Sequence, residues 1–351
     1  MATTDARFMI YGANGYTGTL AAEHAVARGH RPVLAGRSAD KVRPLADRLG
    51  LPWLAIDLAD RPALERALAG LDAVLHTAGP FVHTSAPMVD ACLASKVSYL
   101  DVTGELPVFA ATFARDRDAR GAGICLMSGV GFDVVPTDCL ARYVSDRTPG
   151  ATELELAFAA IGSPSAGTAK SALEQARNGG LVRRDGRLVP YPVGKGAKRI
   201  RFTSAELWCV PVPWGDLETA YVTTHIPNIT TYMAQPPRNI RAMRVGAPVL
   251  RMALAIAPVR RALARAIERR VHGPDEAARE RGRSHIWARA ATPDGRATEA
   301  RLETAEGYLF TARSSIRAVE RVLELRPSGA LTPAGAFGAD FVLEIEGSVR
   351  S

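Results

Sequence analysis

At 351 residues the chain is too long for a comfortable single core and long enough for two domains; with 47% hydrophobic and 23% charged residues it is neither disordered nor fibrous in composition. Four scattered cysteines, Cys92, Cys125, Cys139 and Cys209, with no C-x-x-C pair and no histidine at ligand spacing, argue against a disulfide framework and a zinc site, so no metal is expected. The net charge of +8 is one local patch, because twelve arginines stand against four acids between Arg238 and Arg283 and the rest of the chain sums to zero.

The strongest motif comes first. Arg7 to Tyr11 is a short apolar run that leads into Gly12-Ala-Asn-Gly15-Tyr-Thr-Gly18 and then into a helix-like stretch from Thr19 to Arg28. A strand, a tight turn and an immediate helix place bare backbone N–H groups at a helix N-terminus, which suits a pyrophosphate. The glycines recur every third residue: Gly12 permits the turn, Gly15 lets phosphates approach, and Gly18 lets the helix pack on the strand, with Asn14, Tyr16 and Thr17 in reach of the same ligand. A turn of this shape that binds nothing is the alternative. No secretory leader is recognisable ahead of this strand, and a cytoplasmic protein is expected.

Arg31 to Gly36 reads as a second strand, ending in Arg37, Ser38 and Lys41 where an NAD-binding fold would carry an acid for the ribose hydroxyls. Arginine there accommodates a 2′-phosphate, so NADPH is expected over NADH, with Asp40 as the one residue that argues the other way. Asp40 to Leu49 is the second helix, Trp53 to Leu58 a strand with Asp57 at the adenine rim, and Arg61 to Ala69 a helix closed by Gly70. Ala73 to Phe81 forms a strand and its exit loop, whose small residues Ala78, Gly79 and Pro80 suit close passage of the nicotinamide ribose. Ser85 to Ser95 and Phe109 to Arg120 read as helices, Val97 to Val102 and Gly123 to Ser128 as strands, with Gly129 as a further cofactor contact. The alternation predicts a Rossmann-type, doubly wound parallel α/β sheet over residues 1–141.

Past Pro149 the rhythm changes. Thr152 to Ala160, Glu218 to His225, Ile226 to Met233, Ser284 to Ala290 and Ala297 to Thr304 read as strands, and Asp185-Gly186 and Asp294-Gly295 as hairpin turns. A helix opens at Gly167-Thr168-Ala-Lys170-Ser171 and runs to Asn178. These elements predict a second α+β domain, residues 142–327, on a mixed or antiparallel sheet that covers the nicotinamide edge. Thr311 to Leu323 is an amphipathic helix, and the tail 328–351 is a candidate to return to the first domain.

Ala247 to Val271 combines apolar residues at helical spacing with Arg261, Arg265 and Arg269 at intervals of four, and Pro248 and Pro258 divide it into two helices. Arg251 interrupts its longest apolar run, which is too short to cross a bilayer. Three readings of the basic insertion Arg238–Arg283 stay open: a solvated lid packed on its own domain or on the second subunit of a homodimer, a dock for an acidic carrier protein, or a helical pair lying on anionic lipid. Nucleic acid is not expected, since interleaved aromatics and a groove-reading motif are missing.

Taken together, Gly79-Pro80-Phe81, Tyr99-Leu-Asp101-Val-Thr103-Gly104-Glu105 and Gly131-Phe132-Asp133-Val-Val-Pro136-Thr137-Asp138 resemble the saccharopine dehydrogenase-like oxidoreductases, specifically the branch labelled trans-acting enoyl reductases. The likeness continues through Gly167-Thr168, Arg183-Arg-Asp-Gly186, Gly215-Asp216-Leu217, Glu306-Gly-Tyr308 and Phe337-Gly-Ala-Asp340-Phe341. The resemblance implies an NADPH-binding domain with an α/β substrate domain, and a freestanding enzyme that saturates a carbon–carbon double bond on a polyketide or lipid chain carried by a synthase. Phe81-Val-His83-Thr84-Ser85 departs from the small turn expected there, which makes His83 a specificity or proton-donor candidate. Tyr99 and Lys170 are the other donor candidates, with Asp101 and Glu105 as orienters. Reduction of an imine or ketone, and a non-catalytic NADPH-binding partner protein, are the competing readings.

Overall fold

The computed structural model describes residues 8–160, 164–176 and 179–351, so Arg7, at the start of the expected first strand, and Asn178, at the end of an expected helix, lie outside the described residues. Two compact units emerge: one holds the described residues up to Asp133 together with Tyr308–Phe337, the other Val134–Gly307 with Gly338–Ser351.

The first unit alternates strand and helix: β1 (Phe8–Tyr11), α1 (Tyr16–Ala27), β2 (Val33–Gly36), α2 (Ala39–Leu49), β3 (Trp53–Ala55), α3 (Arg61–Leu68), β4 (Ala73–His76), α4 (Phe81–Ser95), β5 (Ser98–Asp101), α5 (Leu106–Phe113), α6 (Asp116–Ala122) and β6 (Cys125–Met127). Every pairing in its sheet is parallel. A parallel sheet is covered on both faces, and β1 and β4 are accordingly buried at every position. Helix α1 lies close to the sheet because its inner face is Gly18, Ala21, Ala22 and Ala25.

Two helices differ in extent from expectation. Helix α4 begins at Phe81, not Ser85, because the Glu105 carboxylate accepts from the backbone N–H groups of Phe81 (3.0 Å) and Val82 (2.8 Å), a cap that nothing local supplies. The stretch from Phe109 to Arg120 is two helices, turned at a corner where Arg115 bridges Asp90 (2.7 Å) and Asp118 (2.6 Å).

The second unit comprises α7 (Val135–Asp146), β7 (Glu153–Ala160), α8 (Ala166–Gln175), β8 (Gly180–Arg184), β9 (Arg187–Tyr191), β10 (Lys198–Arg201), β11 (Glu206–Pro211), α9 (Asp216–Thr224), β12 (Asn228–Ala234), α10 (Pro237–Ala255), α11 (Ala257–Arg270), α12 (Glu276–Arg281), β13 (Arg283–Ala291) and β14 (Ala297–Ala305). The chain then supplies α13 (Gly307–Leu325), β15 (Gly329–Ala330) and α14 (Pro333–Phe337), and ends with β16 (Val349–Arg350). Strand β15 completes the first sheet in the order β15-β6-β5-β4-β1-β2-β3. Strand β16 instead pairs with β14 in the second sheet, so the tail is shared out between the units. That second sheet runs β10-β11-β12-β7-β13-β14-β16 with the β8–β9 hairpin attached to β12, and is mixed because β12 and β7 are parallel.

Helix α7 packs as a whole within the second unit, where Thr137 donates to Asp216 and Asp138 accepts from Thr223 (2.6 Å). The unit therefore starts at Val134, ahead of the division at residue 141 that the sequence suggests. Glu218 to His225 is helical and not a strand: Leu217, Thr219 and Ala220 face inward, and Asp216 and Glu218 occupy the first turn, where acids suit the helix dipole. Its threonines favour a strand locally, but burial of one helical face prevails. Helix α10 runs past Pro248, and the break falls at Ile256, whose extended backbone leads into Pro258 in the first turn of α11. The Asp185-Gly186 turn joins β8 to β9 with positive φ at both residues, 48° and 74°. Among the described residues no helix is long and apolar enough to cross a membrane.

Glu320 on α13 gathers Arg28 (2.6 Å), His30 (2.8 Å) and Arg317 (3.0 Å). Burial pushes its carboxyl up, but hydrogen bonds from His30, Arg28 and Arg317 outweigh this and hold it at about 2. A carboxyl held below its unfolded pKa adds stability that is complete above that unfolded value and is lost as the pH falls through the folded one. Glu320→Gln is expected to cost about 2 kcal/mol at neutral pH. In thermal unfolding, the gap to wild type closes as the pH falls from 4.5 towards about 2.

Candidate functional site

The carboxyl edge of the first sheet is shaped by close backbone approaches. Gly12 has φ of 84°, and a Cβ there would sit 2.8 Å from both the Cβ and the amide nitrogen of Ala78. A Cβ on Gly18 would come 2.4 Å from the Gly12 carbonyl oxygen and 2.8 Å from Thr77 Oγ1. The backbone N–H and the hydroxyl of Thr77 both donate to the Tyr11 carbonyl, at 2.8 and 2.9 Å, tying β1 to the loop after β4. Gly15 is less crowded: a Cβ there would meet only the Gly12 carbonyl oxygen, at 3.2 Å, which calls for a shift of a few tenths of an ångström. Helix α1 starts there with no side-chain cap and no acid in its first turn, so its positive end suits an anion. Asn14 is exposed with Oδ1 against Gly36 at the end of β2; Tyr16 packs edge-on against Tyr308 (centroids 4.9 Å apart), and Thr17 is half-buried.

At the end of β2, Arg37 and Lys41 are exposed and Ser38 is the N-cap of α2 without a side-chain cap bond. None of the three side chains makes a hydrogen bond or ion pair among the described residues. The Tyr11 hydroxyl donates to the Ile56 carbonyl (2.9 Å) and is pushed up to about 12, by burial first and then by Asp57, with Arg37 opposing. Asp57 is exposed and accepts from the Ala59 N–H (3.0 Å).

Three carboxylates organise the loops after β4, β5 and β6. Asp101 is fully buried and accepts from the Tyr99 hydroxyl (2.8 Å), the Ser128 hydroxyl (2.8 Å), and the N–H groups of Thr103 (2.9 Å) and Gly129 (3.0 Å). Burial pushes its carboxyl up to about 6 against the pull of those four bonds. Glu105 caps α4 beside Gly79 and Pro80. Asp133 is half-buried in the loop after β6, and a Cβ on Gly104 would lie 2.9 Å from its Oδ2. Burial, and then the charge of Glu105, push Asp133 up to about 7. Below them His76, fully buried and pushed down to about 4 by burial, holds Thr84 (3.1 Å) as a neutral ring, while Thr84 donates to the Ala78 carbonyl (2.7 Å).

Most of the residues singled out in the sequence therefore share one edge of one sheet: Gly12, Asn14, Gly15, Gly18, Ala78, Gly79, Pro80, Asp101 and Gly129, with Arg37, Ser38, Lys41 and Asp57 at its β2–β3 end. Tyr99 is different in kind. Its side chain is fully buried, burial first and Asp101 next raise its hydroxyl well above the usual value, and its proton is committed to Asp101; it is a strut, out of reach of a substrate. His83 is exposed in the first turn of α4, and Lys170 stands on α8 in the second unit, paired with Glu268 (3.2 Å). Sequence reasoning passed over Asp133, although an acid just beyond Gly131 on the exit of a parallel strand was the available signal.

A family model described as NAD(P)H-binding matches residues 12–106, from the first glycine of the turn through the loop after β5. A Mycobacterium tuberculosis protein, whose name gives trans-acting enoyl reductase as a provisional assignment, is 28% identical over 96% of this chain and 94% of its own. Trans-acting enoyl reductases of Mycobacterium leprae and Mycobacterium ulcerans are 34% and 30% identical, each over 40% of this chain, and these alignments span 37% and 35% of the relatives' lengths. The saccharopine dehydrogenase (L-Glu forming) of Saccharomyces cerevisiae superposes over 99% of this chain and 100% of its own with a TM-score of 0.66 at 13% identity. The chain is an NAD(P)-dependent oxidoreductase on the saccharopine dehydrogenase fold.

The cradle of this oxidoreductase fits a dinucleotide for a reason visible at Gly15: an open helix end coincides there with the least crowded of the three glycines, while Gly12 and Gly18 are packed hard against neighbours. Gly15→Ala and Gly18→Ala are thus expected to part ways. Gly15→Ala lowers the thermal midpoint only slightly and weakens dinucleotide binding about tenfold, whereas Gly18→Ala also lowers stability by about 2 kcal/mol. Calorimetric titration alongside thermal unfolding separates the two.

Proposed function

We propose that this oxidoreductase uses NADPH to saturate a carbon–carbon double bond in an acyl chain presented as a thioester on a separate carrier or synthase. The observation that carries the substrate class is the similarity along nearly the whole chain to the M. tuberculosis relative with the enoyl reductase name. Support for the phosphorylated cofactor comes from the uncommitted side chains of Arg37, Ser38 and Lys41 at the end of β2. Asp40, the acid nearby, sits in the first turn of α2, where its charge favours the helix.

The bound cofactor supplies the hydride for the β-carbon. The chain must add a proton for the α-carbon and a fixed, partly dry surrounding. Asp133 carries that proton: its half-buried carboxyl stays protonated up to about pH 7, held there by burial and by the neighbouring charge of Glu105. Glu105 keeps its place through the N–H groups of Phe81 and Val82, and Asp101 fixes Thr103 and Gly129 on either side. His83, exposed on α4, lines the approach and reads the acyl chain.

NADPH oxidation measured against an enoyl thioester, a β-keto thioester and an amine with a keto acid tests the reaction class; turnover with either of the last two and none with the first would replace this reading. Arg37→Ala is expected to weaken NADPH about tenfold while leaving NADH nearly unchanged. Equal loss for both removes the phosphate role. Asp133→Asn is expected to lower kcat about a hundredfold with dinucleotide affinity retained. Because the acid must keep its proton, the wild-type rate should fall as the pH rises past about 7, and a flat profile through that range would exclude Asp133 as the donor.

A further inference from the structure

Helix α10 has two apolar faces. One packs inward through Ile240 and Leu254, 7% and 0% exposed, with Arg244 donating to the Gly194 carbonyl (2.9 Å). On the opposite side Val245, Val249 and Met252 follow at intervals of four and three residues and form a single stripe, with Ile256 exposed at the break just beyond the helix. They are 78%, 67%, 72% and 54% exposed. Helix α11 continues the display with Val259 and Leu263, 36% and 38% exposed, and carries Arg261, Arg265 and Arg269 at intervals of four on its other side. Its own inner side is anchored to α8, where Lys170 meets Glu268 (3.2 Å) and Arg260 meets Glu174 (3.8 Å).

The charge around the stripe says what covers it. Helix α10 contains no acid, and Arg241, Arg261, Arg265 and Arg269 are exposed and make no ion pair or hydrogen bond among the described residues. A row of exposed aliphatic side chains is unfavourable in water and favours burial. A second copy of this chain would bring like charges together. The occupant must be anionic where it meets the arginines and apolar where it meets the stripe, along an outward-facing ridge. An anionic lipid surface meets both demands at once, with headgroup phosphates for the guanidinium groups and the acyl boundary for the valines, methionine and isoleucine.

We propose that α10 and α11 form an in-plane docking element for an anionic lipid surface. The helices lie on that surface and do not cross it, since no described helix is long and apolar enough to do so. The element belongs wholly to the second unit and the proposal stands whether or not the chain reduces enoyl thioesters.

The test uses the full chain and vesicles of phosphatidylcholine alone or mixed equally with phosphatidylglycerol. Co-sedimentation is expected with the mixed vesicles, and weakening by about tenfold or more both in Val249→Ser/Met252→Ser/Ile256→Ser and in Arg261→Glu/Arg265→Glu/Arg269→Glu. The four native cysteines are buried, so Met252→Cys takes an environment-sensitive dye selectively. Its emission should shift to the blue on mixed vesicles and stay put on neutral ones. Three results overturn the proposal: no sedimentation with mixed vesicles, sedimentation that the serine variant leaves unchanged, or a dye that answers to an acidic carrier protein and not to vesicles. Circular dichroism and thermal unfolding of the full chain, measured in parallel, show that each variant is folded in both units.

Discussion

Where β1 and β4 end, two stretches of backbone pass within contact distance, and the first unit is arranged around that approach. Gly12 turns the chain against Ala78, and Gly18 brings α1 down until it touches the Gly12 carbonyl and Thr77. The alanine-lined face of α1 extends the same fit along the helix. Any side chain at the two packed glycines would lift the helix away from the sheet, and with it the open N-terminal end that gives the cradle its attraction for phosphate.

The loops beyond the strands are held differently, by buried carboxylates. An ionised carboxyl taken out of water carries a penalty of several kcal/mol, by order of magnitude, unless donors surround it. Asp101 finds four donors from β5, the loop after it and the end of β6, and Glu105 finds two at the start of α4. Each carboxylate thereby joins segments that sequence separates. Asp133 sits beside this arrangement and feels it as electrostatics: burial and the fixed charge of Glu105 set its proton affinity near neutrality. The same negative charge that caps a helix thus tunes an acid.

The second unit distributes its polarity on another principle. Its mixed sheet has a core around Phe202, Cys209 and Trp287, while the whole net positive charge of the chain gathers on and around α10 to α12. Charge concentrated beside exposed aliphatic residues does not help the unit fold, because like charges repel and bare apolar surface is unfavourable.

Readable from residue order alone were the period-three glycines, the alternation that makes a parallel sheet, the arginine at the end of β2 and the two hairpin turns, because each rests on steric and periodic rules that act within a few residues. Contacts between distant segments decided the rest. Glu105 extends α4 backwards from twenty-three residues away, burial of Leu217 and Ala220 makes a helix of a threonine-rich stretch, and the depth of the sheet turns Tyr99 from a plausible acid into a strut. The pairing of Asp133 with Glu105 across Gly104 belongs to this second group as well, since proton affinity depends on which charges and how little water lie near, and only the folded chain brings those together.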